Sequence, residues 1–306
     1  MPIFVNDGGT NKNANEVHVN DSGTWKRANE VYVKTGGAWE LAFGVTYVSL
    51  SNASLSGVNM GYIKNFNLGT YLGLSSPTII VVTVTSGTNF VSTSNTTPAF
   101  DVGTLPTGTS VEISLPSDAS ITGRGGNGGY GSNSEGNQSM AGDFGGTGLY
   151  TRFPIALTNN GIIGGGGGGG GGAGGRRVYN AAGNGGGGAG GYHESIDSNQ
   201  IVASDGTTGL SPGTNVTVPA GYGGIGAGPR TDGSTSPRAS DGTKTNGGLG
   251  SDDALNIGNR IGGTGGNLGV AGLAVVAAGG AAGNAVDGHS YITYVTSGTI
   301  SGGQVN

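Results

Sequence analysis

Gly164 to Gly172 is an unbroken run of nine glycines, and no other feature restricts the folding of this chain so strongly. A segment without side chains has no apolar face to bury, so it cannot join a core by the usual hydrophobic route. It also loses more backbone freedom on ordering than any other residue type. Similar runs lie at 123–129, 145–148, 161–175, 183–191, 221–228, 242–250, 262–269 and 279–283. Leu, Ile, Val and Tyr segments separate them, which is not the make-up of a Gly/Ser linker. No strict Gly-X-Y period with abundant proline is present, so the chain is not collagen. The remaining ordered state is the polyproline-II helix, with three residues per turn, about 3.1 Å rise and no internal hydrogen bonds. Its N–H and C=O groups point sideways and need partners when buried. Such helices bond to one another only where no Cβ keeps them apart. An inner helix must be nearly all glycine, and an outer one tolerates a side chain on its exposed third. Nine residues in this form span about 28 Å.

Glycine accounts for 70 of 306 residues, roughly three times the usual share of about 7%. Charged residues are 10%, the net charge is −5 and cysteine is absent. These values exclude a disulfide framework and a thiolate zinc site, and they argue against a nucleic-acid partner. No window offers the ~18 consecutive apolar residues of a membrane helix. Met1-Pro2-Ile3-Phe4-Val5 lacks the basic start and apolar stretch of a signal peptide, so export by a standard secretion route is not expected.

The first 44 residues are a repeat. At a spacing of 14 they read VNDGGTNK from Val5, VNDSGTWK from Val19 and VKTGGAWE from Val33. Val17, Val19, Val31 and Val33 alternate with His18 and Tyr32, the period of a strand. Asn-Asp-Gly-Gly, Asn-Asp-Ser-Gly and Lys-Thr-Gly-Gly supply turns, and Trp25 and Trp39 begin return strands. The pattern predicts β-hairpins over 3–13, 14–27 and 28–42. A lone hairpin is marginal in water, so the three either bury a face together or dock on a partner through Val19, Trp25, Val33 and Trp39. Three copies suit a partner with threefold symmetry. Residues 45–122 read as a β-domain, with strands at Val45–Leu50, Gly61–Leu68, Thr78–Thr85 and Val111–Leu115 separated by turn-rich segments. Thr78–Thr85 is the strongest strand. Residues 123–306 form the glycine-rich domain. The expected fold class is all-β plus a polyglycine-II sandwich, with essentially no α-helix.

The alternation of glycine-rich motifs with variable segments resembles the receptor-binding adhesins at the long-tail-fibre tips of T-even-like bacteriophages. The phrases Ile113-Ser114-Leu115-Pro116-Ser117-Asp118-Ala119-Ser120-Ile121-Thr122-Gly123-Arg124-Gly125-Gly126 and Leu157-Thr158-Asn159-Asn160-Gly161-Ile162-Ile163-Gly164 carry that resemblance. Gly288-His289-Ser290-Tyr291-Ile292-Thr293, with Gly298-Thr299-Ile300-Ser301-Gly302, looks like a closing strand. The likeness covers roughly 110–306. It implies a sandwich of polyglycine helices, an N-terminal part docked on a trimeric fibre protein, and distal loops that contact a bacterial surface receptor. The receptor would be an outer-membrane protein or a saccharide, and the location would be the virion, at the distal end of a tail fibre. One departure is Asn11, which stands where the other repeats have Trp25 and Trp39.

If each glycine run crosses the domain once, connections alternate between two ends. Counting from residue 123 puts 130–144, 176–182, 229–241 and 270–278 at the far end. Connections 149–160, 192–220 and 251–261 then fall at the near end with the C-terminal strand. The expected receptor-binding residues are therefore Tyr130, Asn133, Arg176, Arg177, Tyr179, Arg230, Arg238, Leu273 and Val275. Tyr and Arg are frequent hot-spot residues, and loops on a rigid scaffold commonly carry recognition. Residues 270–278 also read as a buried edge strand.

Enzyme chemistry is not expected. G-x-G-x-x-G matches arise by chance in so much glycine, and none sits between a parallel strand and a helix. His18, His193 and His289 form no metal pair. His193-Glu194-Ser195 with Asp197 crowds triad residue types into one segment, and Asp252-Asp253 reads as a solvated turn or a helix start. No cofactor is expected. The alternative function is a structural glycine-rich cap or a matrix or ice-binding element without receptor recognition.

Overall fold

The computed structural model describes residues 4–7, 10–13, 18–28, 30–35, 37–52, 62–129, 141–173, 188–190, 239, 242–250 and 261–306. Three antiparallel hairpins come first: β1 (Phe4–Asp7) with β2 (Thr10–Asn13), β3 (His18–Asp21) with β4 (Thr24–Arg27), and β5 (Glu30–Thr35) with β6 (Ala38–Leu50). The second turns at Ser22 and Gly23, whose φ values are +53° and +89°. Two successive positive φ values give a primed turn, whose twist matches that of its strands. The third hairpin differs in length. β6 pairs with β5 as far as Gly44 and then runs on, so that Val45–Leu50 joins a parallel sheet.

From Val45 the chain winds into a three-faced parallel β-helix of five coils. The first face holds β6, β9 (Ile79–Val84), β12 (Ser110–Leu115), β15 (Ile155–Asn159) and β18 (Ile292–Thr296). The second holds β7 (Ile63–Lys64), β10 (Asn89–Val91), β13 (Ser120–Thr122), β16 (Ile162–Gly164) and β19 (Thr299–Ser301). The third holds β8 (Phe66–Asn67), β11 (Phe100–Asp101), β14 (Leu149–Tyr150), β17 (Asn284–Asp287) and β20 (Gly303–Val305). Alternation in the long strands decides which side chains point inward. Val48, Val82, Ile113 and Leu157 stack in one buried row, as do Ile63, Phe90, Ile121 and Ile163. Phe66, Phe90 and Phe100 meet with ring centroids 5.0–5.5 Å apart, a tilted geometry that aromatic quadrupoles favour.

The longest helix among the described residues is α1 (Leu68–Leu72), so those residues hold almost no helix beside their strands. Asn67 caps it by accepting from the Thr70 N–H at 2.8 Å, and Gly73 ends it in the left-handed region at φ 56°. The division expected after residue 122 is not where the sheets divide. β12 and β13 belong to the same coil as β14, and the glycine segments leave and re-enter the β-helix between the second and third faces of coils three and four.

Where they leave, β13 and β16 simply continue. The pairing of Thr122 with Gly164 carries on as Gly123 N–H to Gly164 O, Gly126 to Gly167 and Gly129 to Gly170, at 2.8–2.9 Å and at every third residue. Residues 142–148 return antiparallel, with Gly166 donating to Gly146 O and Gly169 to Asp143 O. Residues 280–283 return likewise, donating from Gly283 to Gly166 and from Gly280 to Gly169. Segment 164–172 lies at the centre. Its hydrogen bonds reach 123–129, 142–146, 188–189, 263–269, 270–273 and 280–283.

That position explains why the run contains nothing but glycine. A Cβ on any residue from Gly165 to Gly171 would lie 1.7–2.1 Å from a backbone carbonyl oxygen of a neighbouring segment. In the surrounding segments the same clash recurs at three-residue spacing, at Gly123 and Gly126, Gly142 and Gly145, Gly263 and Gly266, and Gly280 and Gly283. Residues beside these positions, such as Arg124, Asn127, Thr264 and Ala281, carry side chains.

Candidate functional site

The glycine segments have an inner end against the β-helix, at the level of Gly123 and Gly164, and an outer end at the level of Gly129 and Gly171. Two reversals within the bundle change the count of crossings made from the sequence. Thr243 N–H donates to Asn246 O at 2.7 Å, closing a turn at 243–246. The Lys244 ammonium in that turn donates to Asn89 Oδ1 on the β-helix at 2.8 Å. A second reversal falls at 267–270, where Gly269 takes a φ of +71° beside Ser301 and Gly302. Both reversals lie at the inner end: the first falls inside the run 242–250, and the second closes the run 262–269 where the count expected the far end.

As a correction, residues 242–243 sit at the inner end. The segment expected there, 251–261, is instead flanked at the outer end. A Cβ on Gly250 would meet Gly262 O at 1.9 Å, and Gly263 donates to Gly171 O. Residues 270–278 form no strand. They run outward from Val270 to Leu273, reverse around Val275, and return through Ala278, with Ala277 donating to Gly172 O.

Leu273 and Val275 are therefore at the outer end, 57% and 45% exposed. Val276, Leu249 and Ile261 join them as exposed apolar residues. The sequence places the apolar stretch Val270–Val276 at this end, though only Leu273 and Val275 are singled out from it. It gives no sign of Leu249 or Ile261, which flank a connection assigned to the wrong end. Tyr130, Asn133, Arg176, Arg177, Tyr179, Arg230 and Arg238 lie outside the described residues. Gly129 and Gly142, on either side of Tyr130 and Asn133, are both at the outer end, since Gly129 donates to Gly170 O and Gly142 to Ala278 O. Val19, Trp25, Val33 and Trp39 occupy strand positions in the second and third hairpins, where Trp25 opposes Asn20 and Trp39 opposes Lys34.

Polar side chains brace the scaffold behind the outer end. Arg124, only 7% exposed, donates from Nη2 to Asn127 Oδ1 at 3.1 Å, and Asn127 Nδ2 donates to Asp143 Oδ2 at 3.0 Å. The chain of contacts ties the first outgoing segment to the first returning one. Burial pulls the Arg124 guanidinium below its usual range, and the Asp143 carboxylate opposes that shift. Lys244 is lowered by burial alone.

A β-helix that holds out a rigid glycine bundle tipped with exposed apolar loops is built for attachment. The sequence profile of the family described as "Phage tail fibre adhesin Gp38" matches residues 46–305, and the chain belongs to that family. It is a bacteriophage tail-fibre adhesin, a component of the virion. Among solved structures it is similar to the gp37-gp38 adhesin tip complex of the bacteriophage S16 long tail fibre. That match has a TM-score of 0.52 and 24% identity, over 86% of this chain and 82% of that one. No curated protein matches the chain significantly.

Proposed function

We propose that this adhesin sits at the distal end of a tail fibre and binds a bacterial outer-surface receptor through the loops at the outer end of its glycine bundle. The receptor is an outer-membrane protein or a saccharide, and the adhesin acts by binding, without bond chemistry. The bundle is read as a polyglycine-II sandwich, a reading supported by hydrogen bonds and required glycines that recur at every third residue. The N-terminal hairpins dock it on a trimeric fibre protein through Val19, Trp25, Val33 and Trp39. Support for such a partner comes from the solved relative, which is a complex of two tail-fibre proteins.

The observation that carries the reading is the exposure of Leu249, Ile261, Leu273, Val275 and Val276 at one end of a scaffold that is otherwise backbone packed on backbone. Exposed apolar clusters on soluble proteins mark interaction sites. The test is binding of purified protein to a panel of bacterial strains, with wild type compared to a Leu273→Asp/Val275→Asp variant. Saturable binding to some strain, reduced at least tenfold in the variant at an unchanged melting temperature, is the expected result. Equal binding by both proteins overturns the loop assignment. Absence of binding to every strain favours the structural cap.

A further inference from the structure

One corner further along each coil, between the third face and the next strand of the first, the structure holds a second concave surface. Asn67, Asp101, Tyr150 and Asp287 stand in register at corresponding positions of the third face, about 4.8 Å apart from coil to coil. Just after this row the chain turns through α1, through Gly103-Thr104 and through Arg152. These turns enclose a cleft of about 460 Å³ lined by Asn67, Thr70, Asp101, Thr104, Tyr150 and Arg152. That volume lies within the usual range of small-molecule sites, roughly 300–1,000 Å³.

The walls are held by bonds of their own. Asn67 Nδ2 donates to Asp101 Oδ2 at 2.8 Å, and Gly103 N–H donates to Asp101 Oδ1 at 2.7 Å. The Arg152 guanidinium carbon lies 4.5 Å from the centroid of the Tyr150 ring, and its Nη2 donates to Asp287 Oδ1 at 2.7 Å. Two glycines keep the corner open. A Cβ on Gly69 would lie 2.6 Å from Thr104 O, and one on Gly103 would lie 2.5 Å from Asn67 Oδ1.

What remains unengaged is informative. The Thr70, Thr104 and Tyr150 hydroxyls make no hydrogen bond among the described residues, and each Asp101 oxygen has accepted a single bond and has capacity for another. The cleft thus offers acceptors on a carboxylate beside hydroxyls that both donate and accept. Among the lining residues Asp101 is the one anion and Arg152 the one cation, and the Arg152 guanidinium is already engaged by Asp287. A phosphate or other strongly anionic ligand would meet the Asp101 carboxylate, and an apolar one would leave all these groups unpaired. A ligand with adjacent hydroxyls meets both demands, since each of its hydroxyls donates to a carboxylate oxygen and accepts from a protein hydroxyl.

We propose that this cleft is a binding site for a neutral saccharide, one or two pyranose residues in extent, held by the Asp101 carboxylate and the Thr70, Thr104 and Tyr150 hydroxyls. The site is built by coils one to three and owes nothing to the glycine bundle, so it stands apart from the receptor-binding loops. Its role would be a second, shallower contact with the sugars of a cell surface.

The experiment is saturation-transfer-difference NMR on the full chain, using free glucose, galactose, N-acetylglucosamine, a neutral heptose, lactose and glucose 6-phosphate as probes. The expected result is saturable transfer to at least one neutral sugar, weakened at least fivefold in a Thr104→Ala/Tyr150→Phe variant with an unchanged melting temperature. Those hydroxyls have no hydrogen-bond partner among the described residues, so the melting temperature is expected to hold. The Leu273→Asp/Val275→Asp variant should bind the sugar as wild type does. Three outcomes overturn the proposal: no neutral sugar showing transfer, equal binding by the Thr104→Ala/Tyr150→Phe protein, or preferred binding of the phosphorylated sugar.

Discussion

Replacing Gly168 by alanine adds one methyl group to the centre of the bundle, and the structure shows where it would go. The new Cβ would lie 1.8 Å from Gly280 O and 2.4 Å from Gly280 C. Ordinary contact begins near 3.4 Å, so segment 280–283 must retreat by the difference of 3.4 and 1.8, which is 1.6 Å. Neither partner has a side chain that could rotate away. A retreat of that size breaks the bonds from Gly280 to Gly169 O (2.7 Å), from Gly283 to Gly166 O (2.8 Å) and from Gly145 to Ala281 O (2.9 Å). Three backbone bonds at about 1 kcal/mol each amount to roughly 3 kcal/mol. Alanine also restricts the unfolded chain, which offsets about 0.4–1 kcal/mol of this. A net loss of roughly 2 kcal/mol corresponds to a fall in melting temperature of about 4–8 °C for a domain of this size. The assay is thermal unfolding followed by circular dichroism, with Ala281→Val as the control, because Ala281 is exposed between two required glycines. A Gly168→Ala protein that melts within about 1 °C of wild type would refute the steric argument.

Three further predictions concern other parts of the molecule. Phe90, fully buried between Phe66 and Phe100, should destabilise the β-helix by about 3–5 kcal/mol when replaced by alanine, read as a large drop in melting temperature. The burial-lowered Lys244 carries its desolvation penalty while it is charged in both folded and unfolded states. Unfolding it releases that penalty only below its folded value, so wild type should gain stability relative to Lys244→Met as pH rises toward 10.5; paired melting curves at neutral and alkaline pH would show it, and a constant difference would contradict it. Trp25→Ala/Trp39→Ala should lose co-purification with the phage's own trimeric fibre protein while keeping the melting temperature of the β-helix, and retained co-purification would remove these residues from the interface.

Local features were legible before the structure was known. Hairpins over 3–13, 14–27 and 28–42 followed from a 14-residue repeat with turn residues at fixed offsets, and strands appear at Phe4–Asp7, Thr10–Asn13, His18–Asp21, Thr24–Arg27, Glu30–Thr35 and from Ala38 onward. The β-branched run Thr78–Thr85 marked the strongest strand, and β9 occupies Ile79–Val84, with β6 and β12 on either side of it. The coils were not legible. Phe66, Phe90 and Phe100 are separated by unequal lengths of chain, and β14 and β17 are separated from β13 and β16 by long glycine segments. No fixed period therefore announced a β-helix. Within the candidate site, Leu273 and Val275 were found because an apolar stretch interrupts glycine. Leu249 and Ile261 were missed because the turn at Lys244 hides inside the phrase Gly242-Thr243-Lys244-Thr245-Asn246-Gly247. The cleft at Asp101 and Tyr150 gave no signal, since its residues come from three coils.

What the sequence by itself determined is the local state of each segment: where strands alternate, where turns fall, and that Gly164–Gly172 must be surrounded on every side by backbone. Those properties follow from side chains, or their absence, acting on their immediate neighbours. Tertiary structure decided which segments surround that run, which coil each strand joins and which end of the bundle each connection occupies. The physical reason is that one glycine offers the same N–H and C=O as any other. Pairings such as Gly123 with Gly164 or Tyr150 with Asp287 are therefore selected by the stacking of the coils and by contacts such as Lys244 on Asn89, rather than by any side chain in the run. The nine glycines require a shell of backbone around them, and the β-helix settles which stretches of chain supply it.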